Sequence, residues 1–193
     1  PGDGLAGRMP MEHRIEKDTM GEVKVPVDRL WGAQTQRSLE NFCIGHERMR
    51  RPLIRAMGLV KQAAAAVNAE LGGITSEIAS AINSAAEEVI HGDLDDHFPL
   101  VVYQTGSGTQ SNMNCNEVIA NRANQALGQP LGSQNPVHPN DHVNHAQSTN
   151  DSFPTAIHVA CASECHDRLL PAIDALRKCL DEKAGEFSTV VKI

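Results

Sequence analysis

From Pro52 onward apolar residues return at helical spacing. Leu53, Met57, Val60, Ala64, Val67 and Leu71 fall at steps of three or four, which predicts a helix with Pro52 in its first turn and Gly72-Gly73 as its stop. Thr75 can cap a second helix whose buried stripe is Ile78, Ile82, Ala85 and Val89; His91 lies in its last turn and Gly92 ends it. An acidic turn (Asp93, Asp95, Asp96) and a short apolar stretch from Phe98 to Tyr103 follow. The Gly/Ser/Thr/Asn segment 105–116 then precedes a helix near Glu117–Leu127, stopped by Gly128, and residues 128–151 read as loop. Upstream, residues 11–47 read as an extended, irregular lead-in. There only Val23, Val25 and Val27, alternating with Lys24 and Pro26, predict a short edge strand.

The last third is the most regular. Ile157, Cys161, Cys165, Leu169, Ile173, Leu176, Leu180, Ala184 and Phe187 recur at steps of three or four, as the face of a long helix beginning near Pro154. Unbroken from Ile157 to Phe187 it would run about 46 Å. Pro171 lacks the N–H such a helix needs, so a kink or restart is expected there. The short helices upstream cannot cover a stripe of that length, so it calls for partner helices from a longer chain, other subunits or both. With aromatics at only 3%, helix packing is favoured over a β-sandwich core. The fold class expected is mainly α: a small N-terminal helical domain with a short strand element, followed by the first long helix of a central helix bundle.

Composition narrows the functional classes. Of 193 residues, 40% are hydrophobic and 21% charged, as in a folded globular chain. Seventeen basic against 24 acidic side chains give a net charge of −7, which argues against a general nucleic-acid binder. The one basic knot, Arg48, Arg50, Arg51 and Arg55, has no interleaved aromatics. No apolar run approaches the roughly 20 residues that cross a bilayer. Five cysteines without a CxxC pair argue against a disulfide framework and for a reducing, cytoplasmic setting. Pro1 to Pro10 is Gly/Pro-rich without the apolar core of a secretion signal, so residues 1–13 read as a leader or vector-derived stretch, with Met9 or Met11 as the natural start.

Three polar segments could carry chemistry. In Thr105-Gly106-Ser107-Gly108-Thr109-Gln110-Ser111-Asn112 two glycines let the backbone approach a ligand, and hydroxyl and amide groups supply neutral donors suited to a carboxylate or phosphate. A polar turn with a helix cap explains the same residues. The segment lacks the Gly-Lys-Ser/Thr of a phosphate loop and the dinucleotide-binding spacing. His138-Pro139-Asn140-Asp141 gathers an imidazole, an amide and a carboxylate in one tight turn, or is ordinary loop punctuation. Gln147-Ser148-Thr149-Asn150-Asp151 precedes the long helix; Asp151 or Ser152 could be a simple N-cap, yet the hydroxyls and amides could also bind a carboxylate at the positive helix end. His158, Cys161, Cys165 and His166 share a helical face, but one straight helix cannot wrap four ligands around a zinc, and core packing is the better reading. No G-x-S-x-G elbow points to serine hydrolysis.

Together, RIEKDTMGEVKVP…WGAQTQRSLENF, DDHFPLVVYQTGSGTQSNMNCNEVIANRA and HPNDHVNHAQSTNDSFPTAIHVA resemble the class II, iron-independent fumarases of the fumarase/aspartase superfamily, from about Arg14 to Ile193. The resemblance implies that Ser107 and Thr109 contact a dicarboxylate, and that Ser148, Thr149 and Asn150 form a second substrate-binding stretch; many relatives carry Ser where Thr149 stands, which keeps the hydroxyl. It implies a secondary dicarboxylate site at His138, Asn140 and Asp141, and support of the first loop by Asn114 and Asn116. It implies no cofactor and no metal, fumarate or malate as partner, and a homotetramer with composite sites to which 105–116 and 148–150 contribute separately. The domains implied are 14–147, an N-terminal lyase domain, and 148–193, the truncated start of a central helical bundle.

The family reaction is reversible anti addition of water to fumarate through a carbanion held as an aci-carboxylate, which needs preorganised donors and an acid and base on opposite faces. The family's catalytic histidine, in a Gly-Arg-Thr-His segment, and its mobile serine loop would both be expected after Ile193, so no catalytic residue is assigned here and the 193 residues alone are expected to be inactive. Aspartase shares the scaffold but differs where this chain reads GSGTQSNMN and PTAIH. A non-catalytic helical assembly module is the alternative from another class.

Overall fold

The computed structural model describes residues 12–191. Two strands, β1 (His13–Asp18) and β2 (Gly21–Pro26), form an antiparallel hairpin in the register His13↔Pro26 to Asp18↔Gly21. The inward positions of β1 are polar. The Arg14 guanidinium donates to the carbonyls of Pro26, Arg29 and Trp31 at 2.7–2.8 Å, and a buried Glu16 accepts from Ala33 N at 3.1 Å. Val23 and Val25 are buried as their alternation predicts, whereas Val27 lies past the strand and is exposed. The lead-in is therefore not irregular. It holds this hairpin and helix α1 (Ala33–Asn41), whose buried positions are Ala33, Thr35 and Ser38. The hairpin reaches into the stretch read as leader, because Glu12 O accepts from Val27 N at 3.0 Å; residues 1–11 lie outside the described residues.

Helices α2 (Arg51–Glu70) and α3 (Ser76–His91) pair through a short connection. Gly72 takes a left-handed φ of +75° just past α2. Thr75 Oγ1 accepts from Ile78 N at 3.4 Å to cap α3, and Gly92 at φ +99° ends it, as the sequence predicts. The face of α2 is rotated from expectation. Ile54, Met57, Gly58, Lys61, Ala65 and Asn68 point inward, while Val67 and Leu71 are exposed. Tertiary pairing of Lys61 and Asn68 with the loop near residue 145 sets this rotation against the apolar pattern.

Helix α4 (Thr109–Ala126) is the most buried element, with every residue from Ser111 to Asn121 enclosed. It begins at Thr109, not near Glu117, so the segment 109–116 is helix and only 105–108 is loop. Its buried amides pay for their place by bonding loops. Asn121 bridges Leu30 O and Gly132 N at 2.8 Å, and Asn124 bridges both backbone groups of Val137 at 2.8–2.9 Å. The region 128–148 is irregular apart from a single π turn, Pro139–Val143.

Helix α5 (Thr149–Glu164) starts upstream of Pro154, with Ser148 as its N-cap, and passes through a π turn, Cys165–Leu169, into α6 (Leu170–Glu186). The widened turn stands where a Pro171 restart was expected; it absorbs the missing N–H without breaking the helical path. Only Ser152, Ala156 and Ala160 of α5 are buried. Ile157, Leu169, Ile173, Leu176, Leu180 and Phe187 are exposed, at 39–60% of their surface, which is the uncovered stripe the sequence predicts. Among the described residues no helix is long and apolar enough to cross a membrane.

Candidate functional site

The first turns of α4 and α5 lie side by side in one chain. Gly108, at φ +75°, is the residue before α4, and the Phe153 ring of α5 lies directly on it. Asn112, in the first turn of α4, donates through Nδ2 to Thr149 Oγ1 at 2.9 Å and to Asn144 Oδ1 at 3.1 Å. Segments 105–116 and 148–150, expected to contribute to different composite sites, are thus joined within the chain; Phe153 and Asn112 hold them together. Helix starts leave backbone N–H groups without intrahelical partners and carry partial positive charge, so two of them side by side favour an anion.

On this surface Ser107 Oγ and Thr109 Oγ1 lie 2.9 Å apart, both on exposed residues, so one hydroxyl donates to the other. Ser148 and Asn150 are also exposed, and Thr149 is half-buried beside Asn112. Ser111 Oγ accepts from Gln104 Nε2 at 3.2 Å, fixing the start of the loop. The amides of Asn114 and Asn116, expected to support the loop, bond deeper along α4: Asn114 donates to His97 O at 3.0 Å and Asn116 to Met113 Sδ at 3.4 Å. Asn112, the last residue of the candidate segment 105–112, makes the side-chain contact that ties α4 to Thr149.

Beneath the two helix starts sits Lys61 of α2, buried, with Nζ donating to Asn144 Oδ1 and Gln147 Oε1 at 2.9 Å each. Burial pulls its ammonium down to about 8, and burial pushes the neighbouring Cys115 thiol up to about 11, which keeps that thiol neutral. Lys61, Asn112, Asn144 and Gln147 were not singled out as a set by sequence. The available signal was a lysine one turn from Met57 and from Ala65 on the inward face of α2.

His138, Asn140 and Asp141 stay together at the π turn. His138 Nδ1 accepts from the N–H groups of Asn140 and Asp141 at 3.2 Å each and lies 3.3 Å from Asp141 Oδ2. With Nδ1 occupied as a cap, the neutral ring carries its proton on Nε2. His138 and Asn140 face a cleft of about 410 Å³ shared with Lys17, Gln34 and Glu117. His158, Cys161, Cys165 and His166 are exposed residues strung along α5 and its π turn, and among the described residues no three His, Cys, Asp or Glu side chains gather as a metal site.

Comparison with known proteins agrees with this architecture. A family model described as Lyase matches residues 21–193. The class II fumarate hydratase of Thermus thermophilus is 63% identical over 185 residues, covering 95% of this chain and 40% of that protein. The mitochondrial fumarate hydratase of Rhizopus oryzae is 60% identical over 182 residues, covering 93% and 37% respectively. The crystal structure of the class II fumarase from Schistosoma mansoni superposes with a TM-score of 0.91 at 43% identity, over 94% of this chain and 38% of that one. The chain thus spans about 40% of the length of the curated relatives it matches.

Proposed function

We propose that this chain, which belongs to the lyase family, is the amino-terminal part of a fumarate hydratase that adds water reversibly to fumarate to give (S)-malate. The observation that carries the reading is the joined pair of helix starts. It offers the Ser107, Thr109, Ser148 and Thr149 hydroxyls, the Asn150 amide and free backbone N–H groups to one carboxylate of the substrate. Such donors neutralise an aci-carboxylate as charge develops, without carrying a proton away. Residues 14–147 serve as the N-terminal domain and 148–193 as the start of the central bundle. His138, Asn140 and Asp141 form a secondary dicarboxylate site, of which His138 and Asn140 line the 410 Å³ cleft. The acid and base come from segments outside these 193 residues, no cofactor takes part, and the enzyme works in the cytoplasm, where its five free thiols stay reduced.

Fumarate absorbance tests the reading. The reading frame carried beyond Ile193 is expected to consume fumarate at neutral pH without ammonium, and the 193 residues alone to consume none. An absolute requirement for ammonium would move the protein to the aspartase branch, and inertness of the longer chain would remove the hydratase reading.

The uncovered stripe of α5 and α6 supports a homotetramer built around a shared helix bundle. Exposed Leu169, Ile173, Leu176, Leu180 and Phe187 form an apolar stripe along one helical path, the kind of surface that marks a protein–protein contact. The 193-residue chain is expected to self-associate at micromolar concentration in sedimentation, and glutamate at both Ile173 and Leu180 to shift it toward monomer. A folded monomeric wild type would contradict this.

A further inference from the structure

Lys61 is a buried cation whose hydrogen-bond partners are neutral. It enters no ion pair among the described residues; its acceptors are two amide oxygens, and the one titratable group acting on it is the neutral Cys115 thiol. A lysine so placed is costly unless something anionic is brought near it. The hydrogen bonds around it run toward the surface. Lys61 Nζ donates to Asn144 Oδ1 at 2.9 Å; the same oxygen accepts from Asn112 Nδ2 at 3.1 Å, and Asn112 donates onward to Thr149 Oγ1 at 2.9 Å. Asn144 Nδ2 donates to Gln147 O at 3.2 Å, and Gln147 Nε2 to the carbonyls of Val143 and His145 at 2.9 and 3.2 Å.

This pattern fixes directions as well as positions. Because Lys61 can only donate, both amides must turn their oxygens to it. Asn144 with its oxygen inward orients the Asn112 amide, whose N–H then occupies a lone pair of Thr149 Oγ1. The Thr149 proton is left to donate outward. We infer that Lys61 is a positioning residue for the dicarboxylate site: through Asn144 and Asn112 it sets the Thr149 hydroxyl to donate to the substrate carboxylate, and the bound anion offsets its charge. The inference rests on the hydratase reading above.

Steady-state kinetics with fumarate on the uninterrupted chain test it. Lys61→Met keeps the length and apolar stem of the side chain while removing the charge and donors. It is expected to raise KM at least tenfold with kcat within about threefold; the thermal midpoint does not discriminate, because loss of a lone buried charge and the acceptor left bare on Gln147 act in opposite directions. A lysine serving the fold alone would leave KM in place. Thr149→Val, which deletes the hydroxyl, should also raise KM, and the double variant should be no worse than the larger single effect, since both act through one hydroxyl. Should Lys61→Met fail to fold, Asn144→Asp keeps the lysine paired and sets an anion beneath the site; it too should raise KM at least tenfold. A KM within twofold of wild type in the variant that folds, or multiplied effects in the double variant, overturns the inference alone. A wild-type chain that leaves fumarate untouched overturns the hydratase reading and this inference with it.

Discussion

Gly108→Ala is expected to loosen the junction of α4 and α5 and lower the thermal midpoint by roughly 10 °C. Two costs combine. A Cβ at 108 would overlap the Phe153 ring, meeting Cδ1 and Cγ in hard contact and Cδ2 at 2.6 Å. A ring seated on the backbone cannot swing aside as the end of a lysine could, so α5 or the 105–108 loop must move, at about 1–3 kcal/mol for overpacking. The left-handed φ of +75° adds about 1–2 kcal/mol for any residue with a Cβ. The sum, about 2–5 kcal/mol, corresponds to that midpoint shift at the 2–4 °C per kcal/mol usual for a chain of this size. Movement there also separates Ser107 and Thr109 from Thr149, so under the proposed hydratase reading fumarate KM of the longer chain should rise by an order of magnitude or more. Phe153→Ala removes the overlap but leaves the dihedral penalty. Gly108→Ala should therefore cost less in the Phe153→Ala background than in wild type. A midpoint change under about 2 °C in the single variant, or equal costs in both backgrounds, would show that the ring does not fix the junction.

The elements that announce themselves in sequence are those whose inward positions are apolar. Helix α3 has its cap at Thr75, its stripe at Ile82, Ala85 and Val89 and its stop at Gly92, each where pattern places it. β1 and α1 give no such signal, because their inward residues are Arg14 and Glu16 in one and Ala33, Thr35 and Ser38 in the other; they are held by hydrogen bonds to distant backbone. The start of α4 is hidden for the same reason. Asn112, Asn114 and Asn116 read as loop residues by propensity; the partners waiting at Asn144 and Thr149 for Asn112 and at His97 for Asn114 let those two lie inside a buried helix. The hydroxyls of the candidate site are visible as residue types in polar segments. What orients them is not, since the path from Lys61 to Thr149 passes through residues far apart in the chain that meet only on folding.

Glu117→Ala should bring the largest loss of stability away from the junction of α4 and α5. Its buried carboxylate accepts three backbone N–H groups at the start of α1: Oε2 from Gly32 at 2.9 Å and Thr35 at 3.1 Å, and Oε1 from Gln34 at 2.8 Å. Gly32, before the helix, supplies no side-chain cap of its own, so a residue of α4 does what a Ser or Asp would ordinarily do locally. The approach is close: a Cβ on Gly32 would come within 2.9 Å of Glu117 Cδ. Burial pushes the carboxyl upward, while the Gly32, Gln34 and Thr35 N–H groups pull it back down. Truncation to Ala strands three donors, each costing about 1–3 kcal/mol where water cannot replace the partner, and leaves a cavity besides. A loss of at least about 3 kcal/mol is expected, or roughly 6–12 °C in midpoint. Glu117→Gln keeps the volume and one acceptor but turns an NH2 toward a backbone N–H, so it should fall between wild type and Glu117→Ala. Because α1 carries Arg37, which grips Asp18 at 2.8 Å at the hairpin tip, loss of the cap should free the hairpin as well. Hydrogen exchange should then quicken across β1, β2 and α1 while α3 stays protected. Equal protection of those three elements in Glu117→Ala and wild type would mean that the carboxylate is not what anchors them.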